Sequence, residues 1–498
     1  MNFDFSGIKK IKIPLLEEEI NIESIKKYLP EVLRVHFENE KKIDHYFDYV
    51  DGHGQAINQK TRDFLNGTHN NKIEQNHAYY MVSFKEGFLL GDRREFAQKD
   101  DSESDDLIYF DRYLSDVSFF SKDVDIKHDI YTCGIGASFI YPRTDIIKGK
   151  RFKTKDEGYD LENESPFVYE RVDPRYNAVV YTSKIGVHGL GDLFCFNISE
   201  EKDELGIKKR TITVYTRKFT AFFDGTNYEQ IKEPVETPSE YKMLPIVEHS
   251  INNSRIGILE INESLLDGIN TLVSNCVDNV VDVVNRIIVF LGCTAGDVKI
   301  EDIFEKGMLT IPPANGVQTP DVKTLDVKLS YTDVIVLIQE LIARCHDIVG
   351  IPITSGSSSG GNNQAAYVGG GWTNALSIIK RDVLALEVSD RELLKRMIAV
   401  CKLNPNSKVL ISANQIEIKY NVKISDNVLS YTQALQNLVD ANMPFEHILK
   451  AIPLWGDTKA VAKDWREKVE ETLRREQENT EKAKETNLLN APQENNAG

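Results

Sequence analysis

The chain has 498 residues and a formal net charge of −17, with 60 Lys and Arg against 77 Asp and Glu. This length exceeds what one hydrophobic core supports, so we expect two or more domains. The acidic balance disfavours a protein that grips nucleic acid through many phosphate contacts, because such binding needs a surplus of basic side chains. The 6 cysteines show no metal-type spacing, which is typical of reduced, buried thiols in a cytosolic setting.

The N-terminus, MNFDFSGIKKIKIPLLEEE, contains no apolar core of a secretion signal. The most apolar window, Val280 to Gly292, is shorter than the roughly 20 residues of a membrane-spanning helix and contains Asp282, Asn285 and Arg286. We therefore expect a soluble protein without a membrane partner.

The first half of the chain mixes helical and strand-like patterns. A helical pattern occupies Glu17 to Tyr49, and short runs of both kinds alternate from Ile73 to Tyr241. Asp224-Gly225 suits a hairpin turn. The clearest strand-like stretches are TCGIGASFIYP, NAVVYTSKIGVHGL and RTITVYTRKFTAFFDGTNYEQI. Together these patterns predict one mixed α/β domain.

Ser264 to Leu291 has the pattern of one long helix with two faces. The apolar positions are Leu266, Ile269, Val273, Val277, Val280, Val284 and Ile287. The polar positions on another face are Asp267, Thr271, Ser274, Asp278, Asp282 and Asn285. The polar stripe has two interpretations that the pattern does not separate, a solvated face and the wall of a channel.

A small insert and a second helix follow. GMLTIPP and VKTLDVKL, within Cys293 to Ser330, have strand-like patterns. The second helix covers Thr332 to Val349, and one face of it holds Glu340 and Arg344. Pro352 stops this helix because proline lacks a backbone donor and restricts the residue before it. The pattern predicts two helices that flank a β-containing knob.

Thr354 to Trp372 consists almost entirely of Gly, Ser, Asn and Ala and lies between two helical patterns. A linker, a phosphate cradle and a moving part are the three candidate roles. A third helix begins at Thr373, a strand covers Asn414 to Ile424, and helical patterns return after Asp426. The polar last residues have the composition of a disordered tail.

No catalytic or metal motif is present. The Gly-rich segment contains no Lys or Arg, so it cannot be a Walker A cradle. GIGASF and GLGDLF each lack the third glycine of a dinucleotide fingerprint. His53 and His188 have no partner at metal-ligand spacing, and HExxH and GxSxG are absent. We predict no enzyme activity, no metal and no cofactor.

An ordered series of motifs points to a known family. The strongest is LPIVEHSINNSRIGILEINESLLDGINTLVSNCVDNVVDVVNRIIVFLG, preceded by HYFDYVDGHGQAI, NKIEQNHAYYMVSFKEGFLLGD and ERVDPRYNAVVYT and followed by SDNVLSYTQALQNLVDANMPFEHILKAIPLWGD. The series, from Tyr46 to Arg474, resembles the portal proteins of tailed double-stranded DNA phages. The branch most similar is that of siphophages of Gram-positive hosts. The first fifty residues match poorly, and Phe88 stands where the family usually has Tyr.

This resemblance implies an α+β portal fold with an α/β wing, a two-helix stem, a β-containing clip and a helical crown. The implied divisions are wing 1–245, strand and first stem helix 246–292, clip 293–330, second stem helix 331–353, tunnel loop 354–372, wing helix and strand 373–425, crown 426–483 and disordered tail 484–498.

The resemblance also implies a function, namely a ring, usually dodecameric, at one capsid vertex. The ring passes double-stranded DNA during packaging and ejection and contacts the terminase large subunit, the major capsid and scaffolding proteins and a head-tail adaptor. The expected location is the virion, and the host cytoplasm during assembly. The expected tunnel-loop residues are Ser357, Ser358, Gly360, Asn362, Asn363 and Gln364. The expected channel-facing residues are Asp267, Asp278, Asp282, Glu340 and Arg344. A nucleotide-binding enzyme with a Gly-rich loop and a non-viral ring scaffold stay open as alternatives.

Overall fold

The computed structural model divides the chain into two compact units, residues 1–88 with 109–410 and residues 89–108 with 411–498. The residues that the structure describes are 7–61, 70–99, 106–143, 164–184, 191–202, 208–237, 241–284, 288–291, 321–324, 331–352, 371–403, 407–422, 435–439, 441, 443, 448, 465–472 and 474–475.

Helices and strands are both abundant in the described residues. The longer helices are α1 (Ile22–Val50), α2 (His77–Leu90), α3 (Asp106–Asp116), α4 (Phe119–Cys133), α5 (Ile258–Val284), α6 (Tyr331–Val349) and α7 (Trp372–Leu403). The strands are β1 (Lys12–Ile13), β2 (Glu95–Gln98), β3 (Gly136–Pro142), β4 (Phe167–Val172), β5 (Asn177–Thr182), β6 (Asp192–Lys202), β7 (Lys208–Tyr215), β8 (Phe219–Asp224), β9 (Gln230–Glu236), β10 (Ile246–His249), β11 (Ile288–Leu291), β12 (Asp321–Thr324) and β13 (Ile416–Lys419).

A six-stranded sheet and α1 form the largest hydrophobic core of the first unit. The strand order is β1-β5-β6-β7-β8-β9, antiparallel except for the parallel pair β1 and β5. Leu29 and Leu33 of α1 pack in one buried cluster with Phe194 and Phe196 of β6. Each such side chain contributes roughly 1.5–3 kcal/mol when fully buried. The predicted turn at Asp224 joins β8 to β9, and the Asp224 carboxylate accepts two backbone N–H groups there.

A three-stranded antiparallel sheet, β10-β3-β4, packs against α4 and α7 in the same unit. Arg171 of β4 donates two hydrogen bonds of 2.7 and 2.8 Å to the buried Asp129 of α4. Burial raises the pKa of Asp129 to about 6, although the guanidinium opposes the shift. α5 follows β10 of this sheet along the chain.

In the second unit, β2 and β13 form an antiparallel pair. The Tyr420 hydroxyl accepts a hydrogen bond of 3.0 Å from Arg94, and Asp106 accepts one of 2.7 Å from the Ile411 N–H. The sequence predicted a strand over Asn414 to Ile424 and grouped it with the Thr373 helix. The observed strand is four residues long and pairs within the second unit.

The helices after β10 follow the sequence prediction with one correction. The second and third predicted helices are confirmed as α6 and α7. The predicted helix Ser264 to Leu291 is wrong at both ends, because α5 begins at Ile258 and stops at Val284. Ile288–Leu291 instead forms β11, as suits a run of β-branched and aromatic residues. GMLTIPP and the tail 484–498 lie outside the described residues.

Candidate functional site

The helices α5 and α6 form a hairpin. They pack against each other. β11 follows α5 and β12 precedes α6, and these two strands pair antiparallel with Ile288 opposite Thr324 and Leu291 opposite Asp321. The two helices and the two strands that follow and precede them in sequence are therefore paired with each other, helix with helix and strand with strand. This geometry agrees with the predicted pair of helices around a small β element.

One face of α5 carries a ladder of polar side chains that bind an extended segment of the chain. Asn270, Ser274 and Asp278 accept hydrogen bonds of 2.9, 2.9 and 2.7 Å from the backbone N–H groups of Gln75, Ile73 and Asn71. The acceptors are four residues apart on a helix, which is about 6 Å. The donors are two residues apart on extended chain, which is about 6.6 Å. The two repeats match, so the segment runs antiparallel to α5. We call these contacts the polar ladder.

Asp278 is the most enclosed member of the polar ladder. Its side chain has 0% exposure, and Lys60 donates a hydrogen bond of 2.9 Å to its second carboxylate oxygen. Burial alone would raise the pKa of Asp278, but the hydrogen bonds from Asn71 and Lys60 outweigh burial and leave the pKa below its ordinary value. Asp278 is therefore an ionised group that is neutralised inside the subunit.

Two contacts between α1 and α5 extend the same face toward the start of α5. The Tyr49 hydroxyl donates to Asp267 at 2.9 Å. His45 lies 2.7 Å from Glu263, and the hydrogen bond to that carboxylate raises the pKa of His45. Burial raises the pKa of Asp267, although the Tyr49 hydroxyl opposes the shift.

The structure revises the interpretation of the polar stripe. Between Asp267 and Asp278 the stripe is only partly solvated, because Asp267, Ser274 and Asp278 bind α1 and the 71–75 segment of the same chain, whereas Thr271 is exposed. Asp278 in particular presents no charge at the surface of the single chain. The side chain of Asp282 lies outside the described residues. Sequence periodicity shows that such side chains share a face, and only the tertiary structure shows what covers it.

The outer face of α6 is charged and exposed. Asp333, Glu340 and Arg344 fall within about 40° of one another around the helix axis. All three are exposed, and Arg344 donates to Glu340 at 2.7 Å across one helical turn. Leu337, on the flank of this face, is also largely exposed. This face of the hairpin has both the charge and the accessibility that the polar stripe of α5 lacks.

The sequence matches the family model described as phage portal protein, SPP1 Gp6-like, over residues 31–475. The chain belongs to this portal family. The match confirms the predicted resemblance to phage portal proteins, and with it the portal fold. Among curated proteins, none matches the sequence significantly.

In this portal protein, the six expected tunnel-loop residues, Ser357 to Gln364, lie outside the described residues. The residues on either side of that segment are described. Gly350 directly follows α6 and has φ of 70°, and Gly371 precedes α7 with φ of 80°, a conformation that favours glycine at both places. A Cβ atom on Gly371 would lie 3.9 Å from the Pro352 Cα, so the segment begins and ends at neighbouring points.

An aromatic strip of α2 supports both ends of that segment in the portal subunit. The Tyr80 ring lies 5.4 Å from the ring of His346 near the end of α6. The Phe84 and Phe88 rings lie 6.3 and 6.0 Å from Trp372, the first residue of α7. Such aromatic pairs add about 0.5–1.5 kcal/mol each beyond burial. This strip was not among the features predicted from the sequence, although the two aromatic residues four apart in FKEGF are a signal for it.

The described part of the portal chain contains one arrangement with the residue types of a hydrolase. Ser138 Oγ lies 2.9 Å from His249 Nε2, and His249 Nδ1 lies 3.8 Å from Asp390. The second distance exceeds a hydrogen bond. All three side chains are at most 1% exposed, and Nδ1 is instead 3.0 Å from Ser389. A substrate could not reach Ser138, so this is a buried polar network.

The described residues of the portal protein contain neither a metal-ligand cluster nor a membrane-spanning helix. No group of three or more His, Cys, Asp and Glu side chains there could hold a metal ion. Among the described helices, none combines the length and apolar character of a membrane span.

Proposed function

We propose that about twelve copies of this portal protein form a ring at one capsid vertex, with the α5–α6 hairpins around a central DNA channel. The observation that carries the proposal is the portal family match over residues 31–475, because it includes the whole hairpin. The portal family supplies a DNA-packaging channel and assembles as a homo-oligomeric ring. The ring assembles in the host cytoplasm and becomes part of the virion.

The partners follow from that position. The portal ring docks the terminase large subunit during packaging and a head-tail adaptor afterwards, and it contacts the major capsid and scaffolding proteins. The ring itself has no catalytic activity, so the motor that hydrolyses nucleotide belongs to the terminase.

We assign the channel wall to α6 rather than to the polar stripe of α5. Glu340 and Arg344 are exposed on α6 together with Asp333, whereas Asp278 is enclosed. Twelve copies of a chain with net charge −17 carry on the order of −200 charges. A largely acidic wall repels phosphates. It also forms few Lys–phosphate contacts, and those contacts are what gives a protein its salt-sensitive affinity for DNA. The duplex then passes with little friction.

We assign the Gly/Ser segment that begins at Thr354 to a tunnel loop that contacts the duplex, and its end moves from Trp372 to Gly371 because α7 begins at Trp372. Ser357, Ser358 and Gly360 are small enough for many copies to fit around one narrow axis. Asn362, Asn363 and Gln364 can exchange hydrogen bonds with phosphates without the strong attraction of a cation. Because Pro352 and Gly371 lie side by side, deletion of Ser355 to Gly371 should leave ring assembly intact and reduce DNA packaging. Normal packaging by the deletion variant would contradict the tunnel assignment.

The mass of the purified particle tests the ring. Twelve chains of 56.6 kDa give about 0.7 MDa, which native mass measurement separates from a monomer. Electron microscopy of the same sample should show top views with a central hole. A monomer at every protein concentration, or particles without a hole, would overturn the proposal.

A further inference from the structure

The outer face of α7 carries an apolar patch. Leu384 is 67% exposed and Val388, one turn later, is 71% exposed. Lys380 and Arg381 lie one turn before Leu384 and are also exposed. The opposite face of α7 is buried, so the helix is already anchored and does not need these side chains for folding. A pair of exposed aliphatic side chains on an anchored helix is a surface that an apolar partner can cover.

The C-terminal end of α6 offers a surface of complementary character. Ile348 is 48% exposed, and the neighbouring Asp347 is exposed as well. The chain turns at Gly350, where an added Cβ would collide with the side chain of Ile378. The end of α6 therefore touches α7 six residues before Leu384, which is about 9 Å along the helix.

We infer that Leu384 and Val388 of one copy pack against Ile348 of the next copy in the ring, with Lys380 facing Asp347. This inference rests on the proposed ring. A closed ring with one chain type and more than two members needs two different faces that meet head to tail. Rotation about the ring axis keeps every residue at its own height. The two faces must therefore lie at similar heights along the ring axis. The contact between Gly350 and Ile378 meets this condition, because it keeps the end of α6 close to the apolar patch of α7.

Charge and apolar character favour a second copy over DNA as the occupant. A phosphate backbone would be met by cations without a central pair of large aliphatic side chains. Leu384 and Val388 fit an apolar partner, and Lys380 fits an acidic one. Asp347 and Ile348 provide both in adjacent residues of the same chain.

Cysteine cross-linking tests the contact directly. We would introduce Ile348→Cys and Leu384→Cys into one chain and treat the assembled protein with a short bis-maleimide. The expected result is a ladder of covalent oligomers on a denaturing gel that extends toward the full ring, whereas each single variant gives no ladder. Wild-type protein under the same treatment reports on the native cysteines. The matched control is Val235→Cys combined with Leu384→Cys, because Val235 is also exposed (57%) but lies on β9, away from the proposed contact.

A second measurement uses assembly itself. Leu384→Glu should raise the concentration for half-assembly by about tenfold or more, since the substitution would place an unpaired carboxylate in an apolar contact. Val235→Glu, at an aliphatic position that is also more than half exposed, should leave that concentration unchanged. Lys380→Glu should weaken assembly, and Asp347→Lys in the same chain should restore it.

The outcomes separate the inference from the proposed function. A ring of normal mass without a cross-link between positions 348 and 384, and with normal assembly of Leu384→Glu, would overturn the inference and leave the ring in place. Lys380→Glu rings that assemble normally but lose DNA affinity would assign the patch to DNA and also overturn it. A wild-type chain that never forms a ring would overturn both.

Discussion

Asp278 is held by residues far away in the sequence, because Asn71 and Lys60 lie 207 and 218 positions before it. The hydrogen bonds from Asn71 and Lys60 favour the ionised form and outweigh burial, so the carboxylate contributes stability above its ordinary pKa and loses it as the pH falls through the lowered value. An exposed aspartate at this position of a helix would be an ordinary surface charge. Because it is enclosed, this side chain instead accepts the hydrogen bond that holds the Asn71 end of the 71–75 segment on α5.

Asp278→Asn should destabilise the protein by about 3 kcal/mol, because removal of one partner leaves the ammonium of Lys60, which is 14% exposed, without its counter-charge. Chemical denaturation at pH 7 and fixed protein concentration measures the change. Glu38→Gln is the matched control, since Glu38 also pairs with a lysine, at 3.2 Å, but on the exposed surface. We expect no measurable change for the control. Equal effects of the two substitutions would show that enclosure of Asp278 is unimportant.

His36 gives a second pH dependence, in which burial outweighs hydrogen bonding, whereas for Asp278 hydrogen bonding outweighs burial. Its Nε2–H donates to the carbonyl oxygen of Arg175 at 2.9 Å, and the ring packs edge-on against Phe196. Burial lowers the pKa of His36 to about 4, although the hydrogen bond opposes the shift. A lowered pKa means that the unfolded chain binds the proton first. The His36 contribution is therefore present above its ordinary pKa of 6.5 and is lost progressively as the pH falls to about 4.

Between pH 7 and pH 5 the His36 contribution should fall by about 2 kcal/mol. His36→Gln should abolish that part of the decrease, although the variant is less stable at pH 7. Urea unfolding of both proteins at the two pH values gives the comparison. The raised pKa of His45 acts in the other direction, because its contribution is present below the ordinary pKa and is lost as the pH rises. A decrease of the same size in both proteins would exclude His36 as the cause.

At the scale of elements, periodicity predicted α6 and α7 within about one residue of their observed starts. It failed at the end of α5, where Ile288–Leu291 fits either a helical stripe or a strand. These residues form a strand because they pair with β12, a contact with a distant part of the sequence that periodicity does not reveal. The same limit applies to the site. The polar stripe of α5 was visible in the sequence, but the 71–75 segment that covers it carries no pattern of its own.

The polar ladder makes a prediction for amide hydrogen exchange. Ser274→Ala removes the acceptor of the Ile73 N–H, which donates at 2.9 Å. A donor that loses its partner forfeits about 1–3 kcal/mol, so exchange at Ile73 should accelerate roughly tenfold or more. Asn71 and Gln75 keep their acceptors, Asp278 and Asn270, and serve as internal controls. Unchanged exchange at Ile73, or uniform acceleration along the segment, would contradict a ladder of separate contacts.

At the scale of the whole molecule, an acidic chain can handle DNA if it conducts the duplex instead of binding it. The net charge of −17 excludes strong phosphate binding over most of the surface. The exposed carboxylates of Asp333 and Glu340 lie on the hairpin helix that we assign to the channel. The sequence predicted Glu340 and Arg344 for the wall, and their exposure is consistent with that role.

Reversal of one charge at the proposed wall tests that view. In the assembled ring, Glu340→Lys places a cation in every subunit beside Arg344, whose present partner is Glu340. Because each Lys–phosphate contact releases a counterion, short duplex DNA should bind this ring far more tightly at low salt, with affinity falling steeply between about 50 and 200 mM salt. Fluorescence anisotropy with labelled duplex measures both. Glu233→Lys changes the net charge equally on exposed β9, outside the proposed channel. If Glu233→Lys raises the affinity as much as Glu340→Lys does, the effect is one of net charge and α6 does not line the channel. The assignment of α6 to the channel requires that only Glu340→Lys raises the affinity.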